Sequence, residues 1–349
     1  MKTAISLFSG MGGDTLGLEN AGYKVVAYSE IDKNFQKTHE LNFPKSKLIG
    51  CGNILKTIDD EFLIYENKIS LIFAGFPCQG FSQAGKKLPD DPRNTLFREF
   101  LRATKLIKPD YIIGENVKGL LKRKTVDGDN YIDIIKIEFE NIGYNISYKV
   151  LKCHEYNIPQ KRERLIIVGI KKEINKEYRF PDKIDSKPNL MNIIKFDMKG
   201  SIKIDKIDFD MSTISDECII KNMDNNDTED NPHPNLKLLA KDKNYIYKSK
   251  TYPRRITFGK RIPVGGEIID IRNPAKTIIC TYARQPRLFV PLQNKTGYYL
   301  RCLLSDELKK IQGFPENYKL YGNTTKQIIQ IGNAIPPPLV EQIVHQLNI

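Results

Sequence analysis

Thr3-Ala4-Ile5-Ser6-Leu7-Phe8-Ser9-Gly10-Met11-Gly12-Gly13 runs from an apolar stretch into a glycine-rich turn, and a helical pattern follows. The run Thr3 to Phe8 predicts a buried strand. The glycines let the backbone turn tightly and approach a ligand at the helix N-terminus. Glu30 ends the next predicted strand, where an acidic side chain would meet ribose hydroxyls. The pair points to an adenosine cofactor. It does not fit the dinucleotide fingerprint, because Thr15 stands where the third glycine belongs and Gly17 comes late. A strand-to-helix turn without a ligand is the alternative.

Outward from this turn, short apolar runs alternate with amphipathic stretches. Strands are predicted at Thr3 to Phe8, Val25 to Glu30, Ser70 to Ala74, Tyr111 to Glu115, Ile146 to Leu151 and Arg164 to Ile170. A helix is predicted from Asn130 to Ile142, started by Asp129 and ended by Gly143. This order argues for an α/β domain with a largely parallel sheet. After Lys172 the sequence turns irregular, polar and charge-blocked as far as Gly266, which places a second, smaller domain there. At the far end Pro336-Pro337-Pro338 precedes Leu339, Val340, Ile343, Val344 and Leu347, an amphipathic helix expected to pack back on the first domain. The expected division is a catalytic domain of residues 1–172, completed by 300–349, and a domain of residues 173–299.

The 349 residues carry 55 Lys and Arg against 42 Asp and Glu, a net charge of +13 that favours an anionic partner, nucleic acid before membrane. The charges are segregated. Asp205 to Asp230 holds nine acidic residues and two lysines, whereas Asn231 to Ile262 holds nine basic residues and one acid. The basic block is interleaved with Tyr245, Tyr247, Tyr252 and Phe258, rings able to stack or pack beside phosphate-seeking side chains. A solvated face with a few core aromatics is the plainer reading. No apolar stretch is long enough to span a bilayer, and no leader is evident, so a soluble cytoplasmic protein is expected. The six cysteines lack metal-site spacing and are expected to be reduced thiols, with no metal bound.

Three further motifs carry chemistry. Gly75-Phe76-Pro77-Cys78-Gln79-Gly80-Phe81-Ser82 presents a cysteine from a proline- and glycine-bent loop at a strand end, the ligand edge of such a sheet, although a buried cysteine is often inert. Gly114-Glu115-Asn116-Val117 places a carboxylate at another strand tip, where a structural cap is the ordinary explanation. Gln160-Lys161-Arg162-Glu163-Arg164 precedes the apolar Leu165-Ile166-Ile167-Val168, so at least one arginine begins a buried strand and needs an acceptor, a salt bridge being the simplest.

In this order the motifs resemble the DNA (cytosine-5)-methyltransferase family, of the prokaryotic type II modification kind. The resemblance covers the chain except Lys172 to about Gly266. Arg272 to Thr277 resembles the segment that shapes the recognition domain. Gly332-Asn333-Ala334-Ile335-Pro336 resembles the C-terminal segment that rejoins the cofactor site. The resemblance implies a Rossmann-like α/β methyltransferase fold with a smaller target-recognition domain and S-adenosyl-L-methionine as cofactor. It implies Cys78 as nucleophile at cytosine C6, Glu115 as proton partner at N3, and Arg164 with Asn116 holding O2; Arg162 joins this expected catalytic set. Cofactor contacts are implied at Phe8, Ser9, Gly10, Gly12, Gly13, Glu30, Ile31, Asn53, Ile54, Pro77, Leu96, Asn333 and Ile335. The family's motif often has aspartate where Asn53 stands, which alters the adenine contact.

The base must leave the duplex for a cysteine to reach it. Gln79 to Asn94, with glycine hinges and basic side chains, suits a lid closing on DNA, and Gln79, Ser82, Lys86, Lys87 and Arg93 are the expected contacts. In the recognition domain Lys248, Lys250, Arg254, Arg255, Lys260 and Arg261 are the expected DNA-binding side chains. The expected partner is double-stranded DNA, bound by a monomer, with a cognate restriction endonuclease as functional counterpart. A tRNA cytosine-5 methyltransferase is the nearest rival; the Cys-Phe-Thr signature of such enzymes is absent.

Overall fold

The computed structural model describes residues 2–77, 96–125, 128–204, 211–229, 233, 236, 247–248, 254–258 and 264–348. Strand β1 (Lys2–Leu7) is the hub of the first sheet. It pairs in parallel with β2 (Tyr23–Tyr28) on one side and β4 (Leu71–Ala74) on the other. β3 (Lys47–Leu48) adds outside β2, and β5 (Tyr111–Asn116) outside β4, both parallel. Beyond β5 the direction reverses. β8 (Glu163–Lys171) runs antiparallel to β5 and to β6 (Tyr144–Lys152), giving the order β3-β2-β1-β4-β5-β8-β6. The sheet is therefore mixed rather than parallel to its edge. The reason is local: β6 and β8 are joined by a short excursion containing β7 (Gln160–Lys161), too short for a crossover helix.

Helices α1 (Gly13–Asn20), α2 (Lys33–Asn42), α3 (Asp59–Leu63), α4 (Phe97–Ile107) and α5 (Tyr131–Asn141) connect the strands. α5 occupies the predicted stretch, with Ile132, Ile135 and Phe139 buried, but Asp129 does not cap it. Asn130 is the N-cap residue, and its side-chain amide donates to Asp133 instead. Gly143 follows the helix at φ +95°, a left-handed turn that favours glycine.

The stretch expected to be irregular contributes to a second sheet. Among the described residues, β9 (Ile202–Ile204), β10 (Ile220–Asn222), β11 (Tyr247–Lys248), β12 (Arg255–Phe258), β13 (Val264–Ile268), β15 (Leu288–Asn294) and β16 (Gly297–Cys302) form it. Their order is β11-β12-β13-β15-β16-β9, with β10 on β15. The boundary expected between residues 299 and 300 falls inside β16. β14 (Ala275–Lys276) leaves this sheet to pair with β7 of the first half.

Helices α6 (Ser305–Ile311), α7 (Thr324–Asn333) and α8 (Pro337–His345) complete the chain. α8 buries Leu339, Val340, Ile343 and Val344 against α1 and the first sheet. Each such side chain contributes about 1.5–3 kcal/mol. α1 admits α8 closely because a Cβ at Gly17 would lie 2.5 Å from the Pro337 carbonyl oxygen and 2.6 Å from Val340 Cβ. A third core joins Met11, Phe35 and Phe43 to Leu288, Phe289 and Leu300 of the second sheet and to Leu308, Phe314 and Ile331.

Candidate active site

The C-terminal ends of β1, β4 and β5 open on one edge of the sheet, and β8, running the other way, begins there. After β1 the chain reverses through Phe8 (φ +57°), Gly10 (φ +58°) and Gly12 (φ +91°). Glu30, after β2, faces this loop: one carboxylate oxygen accepts the Gly10 N–H at 2.9 Å and the other the Asp32 N–H at 2.8 Å. Burial raises the carboxyl above its ordinary range, against those two hydrogen bonds. Its main-chain carbonyl accepts the Gln36 amide at 2.5 Å and packs on Gly52, where a Cβ would come within 2.2 Å of the same oxygen. Gly52, at φ +84°, thus seats Asn53 beside Glu30. Asn53 Oδ1 accepts the Leu55 N–H at 3.2 Å, capping a short 3-10 turn, and Ile31 is left 66% exposed. A glycine-lined loop, a carboxylate and an uncovered apolar side chain make a cradle suited to an adenosine. Pro77 is half-buried; Leu96 and Ile54 are buried, Ile54 as a core side chain.

The C-terminal segment closes the loop from behind. A Cβ at Gly13 would lie 2.4 Å from the Ile335 carbonyl oxygen, and the Tyr318 hydroxyl donates to the Met11 carbonyl. Ile335 is buried there while Asn333 is exposed.

Glu115 and Arg164 face each other across the β5–β8 pairing, with Arg164 Nε 2.5 Å from Glu115 Oε1, both side chains mostly shielded. Arg164 Nη1 also donates to the Glu163 carbonyl. A Cβ at Gly75 would lie 3.5 Å from the Phe8 carbonyl oxygen and 3.8 Å from Glu115 Oε2, so the glycine-rich loop and the carboxylate meet over that residue. Buried Asn116 donates to the Phe76 carbonyl at 3.1 Å and accepts the Val117 N–H at 2.8 Å. It therefore braces the strand end that leads toward Cys78 rather than aiming its amide into the site. Cys78 and the expected DNA contacts Gln79, Ser82, Lys86, Lys87 and Arg93 lie outside the described residues, as do Lys250, Lys260 and Arg261. Among the remaining cysteines, burial pushes Cys153 up to about 11 and Cys302 up to about 12, leaving both inert as thiols near neutral pH.

Arg162 does not share the place of Arg164. It is buried, with its guanidinium given to the carbonyls of Ile278 at 3.0 Å and Gly332 at 3.2 Å. Burial, with the positive charge of Arg164, draws it down to about 9. It ties the start of β8 to the segment after β14 and to the end of α7, so it acts as a strut and not as a member of the reacting set. Beside it, the Gln160 amide carbonyl accepts the Ile278 N–H, and Gln160 donates to Gln312. In the second sheet Lys248 and Arg255 lie on β11 and β12, and Arg254 is 3.7 Å from Asp270, which Arg272 also engages. The sequence reading gave no role of their own to Gly75, Gln36 and Tyr318. Of these only Gly75 sits in a motif; the others act through contacts that span the chain.

Solved structures that align over the length of this chain include methyltransferases. A prophage-encoded DNA modification methyltransferase of Escherichia coli aligns over all of this chain and 99% of its own, with 23% identity and TM-score 0.67. Spodoptera frugiperda DNMT2 aligns over 100% of both chains, with 17% identity and TM-score 0.68. Residues 2–348 match the C-5 cytosine-specific DNA methylase family. The type II methyltransferase M.FnuDI of Fusobacterium nucleatum is 31% identical, over 99% of this chain and 93% of its own. M.Eco47II of Escherichia coli is 32% identical, over 99% of this chain and 79% of its own. The fold and site thus define a methyltransferase of the α/β class. The chain belongs to the C-5 cytosine-specific DNA methylases, enzymes that methylate carbon 5 of cytosine in DNA.

Proposed function

We propose that this enzyme takes its methyl group from S-adenosyl-L-methionine and places it on a cytosine extruded from a short, specific duplex sequence, through a covalent bond from Cys78. The observation that carries the reading is the Glu115–Arg164 pair beside Gly75 and the Phe8 carbonyl, which sets a paired carboxylate next to the glycine-rich loop and at the root of the Cys78 segment. The cofactor, when bound, supplies an electrophilic methyl group. Glu30 would receive its ribose hydroxyls, Ile31 and Asn53 would hold its adenine, and the main chain from Phe8 to Gly13 would line the remainder.

The thiolate of Cys78 adds to C6 of the cytosine and raises electron density at C5, which is otherwise too weak a nucleophile. Glu115 holds the proton at N3 as the adduct forms, and Arg164 fixes Glu115 and meets O2. C5 then takes the methyl group with S-adenosyl-L-homocysteine as the leaving group; the C5 proton passes to water, its bonding pair re-forms the C5–C6 double bond, the Cys78–C6 bond breaks to return the thiolate, and N3 gives its proton back to Glu115. Residues 173–302, which take in the whole of β16 and have the second sheet at their centre, form the unit that reads DNA, and the flanking residues form the catalytic unit. The relatives' naming as type II methyltransferases supports a role in modifying DNA beside an endonuclease of the same specificity; in this reading the enzyme acts in the cytoplasm as a monomer, one strand being modified per event.

Incubating the chain with methyl-tritiated S-adenosylmethionine and either plasmid DNA or total tRNA tests substrate and donor together. Label in DNA that survives RNase is the expected result. Label confined to tRNA would overturn the DNA reading.

A further inference from the structure

Beneath the glycine-rich loop lies a line of buried polar side chains that the reaction does not use. Ser6 of β1 donates to Asp14 Oδ2, and Ser9 of the loop donates to Asp14 Oδ1 at 3.0 Å. Ser9 Oγ is 3.2 Å from Thr15 Oγ1, which is 3.0 Å from His39 Nε2 of α2. All five residues are buried, Asp14 at 2% and His39 at 0% exposure. His39 stacks on Tyr28 with ring centroids 3.7 Å apart, and its Nδ1 is buried without a partner.

That orphan nitrogen fixes the sense of the chain. A buried N–H without an acceptor is rare, so Nδ1 is the bare nitrogen and Nε2 carries the proton. His39 then donates to Thr15, Thr15 to Ser9, and Ser9 to Asp14. Every donor points toward the carboxylate.

Ser9 is where this chain meets the loop. Its N–H donates to the Ser29 carbonyl, its own carbonyl accepts the Gly12 N–H, and left-handed residues stand on both sides at Phe8, Gly10 and Gly12. Such conformations are held by surroundings rather than by local preference. We propose that the chain His39–Thr15–Ser9–Asp14 is a positioning device that sets the glycine-rich loop for the cofactor, with ionised Asp14 as the terminus that orients it. Asp14 and His39 are positioning residues; neither is placed to touch the reacting atoms. The inference rests on the S-adenosylmethionine reading.

Protonating Asp14 would turn an acceptor into a donor against two hydroxyl donors and so break the chain's sense. Burial already lifts this carboxyl to about 6, opposed by the Ser6, Thr15 and Ser9 hydrogen bonds, and no Lys or Arg among the described residues contributes. The other titratable groups around it are His39, drawn down to about 3 by burial, with Tyr28 beside it, Tyr318 from the C-terminal segment, Glu19 of α1, and Glu30 across the loop. Glu341 of α8 engages Asn20, at the far end of α1, and His345 of its own helix.

The test is calorimetric titration of the full chain with S-adenosylhomocysteine. His39→Phe keeps a ring on Tyr28 but removes the donor, and His39→Gln replaces the donor without the ring. His39→Phe is expected to weaken binding about tenfold or more and His39→Gln by less than about threefold, the scale of one lost buried hydrogen bond. Between about pH 7.5 and 5.5 the wild-type affinity falls as Asp14 takes up its proton, and Asp14→Asn is expected to remove about one proton from that dependence. Equal binding by the two His39 variants, or identical pH slopes for wild type and Asp14→Asn, would overturn the proposal. A wild-type chain that binds no S-adenosylhomocysteine at either pH would overturn the cofactor reading beneath it.

Discussion

Glu115 and Arg164 illustrate how much a single contact adds to a motif. Each stands in its own short signature, and the sequence separately asks for an acceptor for an arginine and a task for a carboxylate. Only strand pairing shows that each answers the other: Asn116 lies opposite Leu165, which sets Glu115 beside Arg164 across the β5–β8 boundary. Arg162, two residues away and between β7 and β8, spends its guanidinium on the carbonyls of Ile278 and Gly332 and is consumed as a strut. Glu115→Gln should lower kcat by roughly 10² to 10⁴ while cofactor affinity, measured by calorimetry, stays level. Asn53→Asp should tighten S-adenosylmethionine binding about threefold or more, since a second carboxylate oxygen can accept from the adenine amino group while the first still caps Leu55. Asp14 also leaves a mark on stability. Its folded pKa of about 6 lies above the 3.8 of an unperturbed aspartate, so the folded protein holds the extra proton between those values and stability falls as pH rises through that window. Against Asp14→Asn, urea unfolding of the wild type should lose roughly 2 kcal/mol between about pH 4 and pH 6.5. Nothing in the sequence marks Asp14 or His39, because no motif joins residues that meet only through folding.

Among the elements, the first sheet was legible because its strands are apolar, short and separated by helical periods. Each predicted strand lies within two residues of the observed one, including Tyr144–Lys152 for the stretch predicted to start at Ile146. The reversal of β8 was not legible, since periodicity carries no strand direction. The second sheet escaped for a different reason: β9, β10 and β11 are two or three residues long and lie in charged sequence, so their pairing with β15, β16 and β12 sets them and not their own pattern. The close contact of α1 with α8 gives an element-scale prediction. Gly17→Ala forces a methyl group into the Pro337 carbonyl and Val340, and should cost about 1–3 kcal/mol in denaturant unfolding. An unchanged midpoint would mean that the two helices do not pack as described.

For the whole molecule, charge and architecture meet. The net +13 is carried by a chain in which Met11 of the glycine-rich loop and Phe35 of α2 pack into one core with the second sheet, α6 and α7, so the loop and that sheet are held by one packing arrangement. Duplex affinity should fall by roughly 10³ or more between 50 and 200 mM salt if six or more phosphates are neutralised. Filter binding across that range checks this, and Lys86→Ala should flatten the slope if Lys86 is one of the contacts. The most direct test of the central claim is bisulfite sequencing of DNA from cells expressing this chain beside cells expressing Cys78→Ala. The account predicts protected cytosines in one short recurring sequence, all lost in the variant. Protection that persists in Cys78→Ala would contradict the covalent mechanism, and no protected cytosine with the wild-type chain folded and cofactor-bound would contradict the assignment of DNA as its substrate.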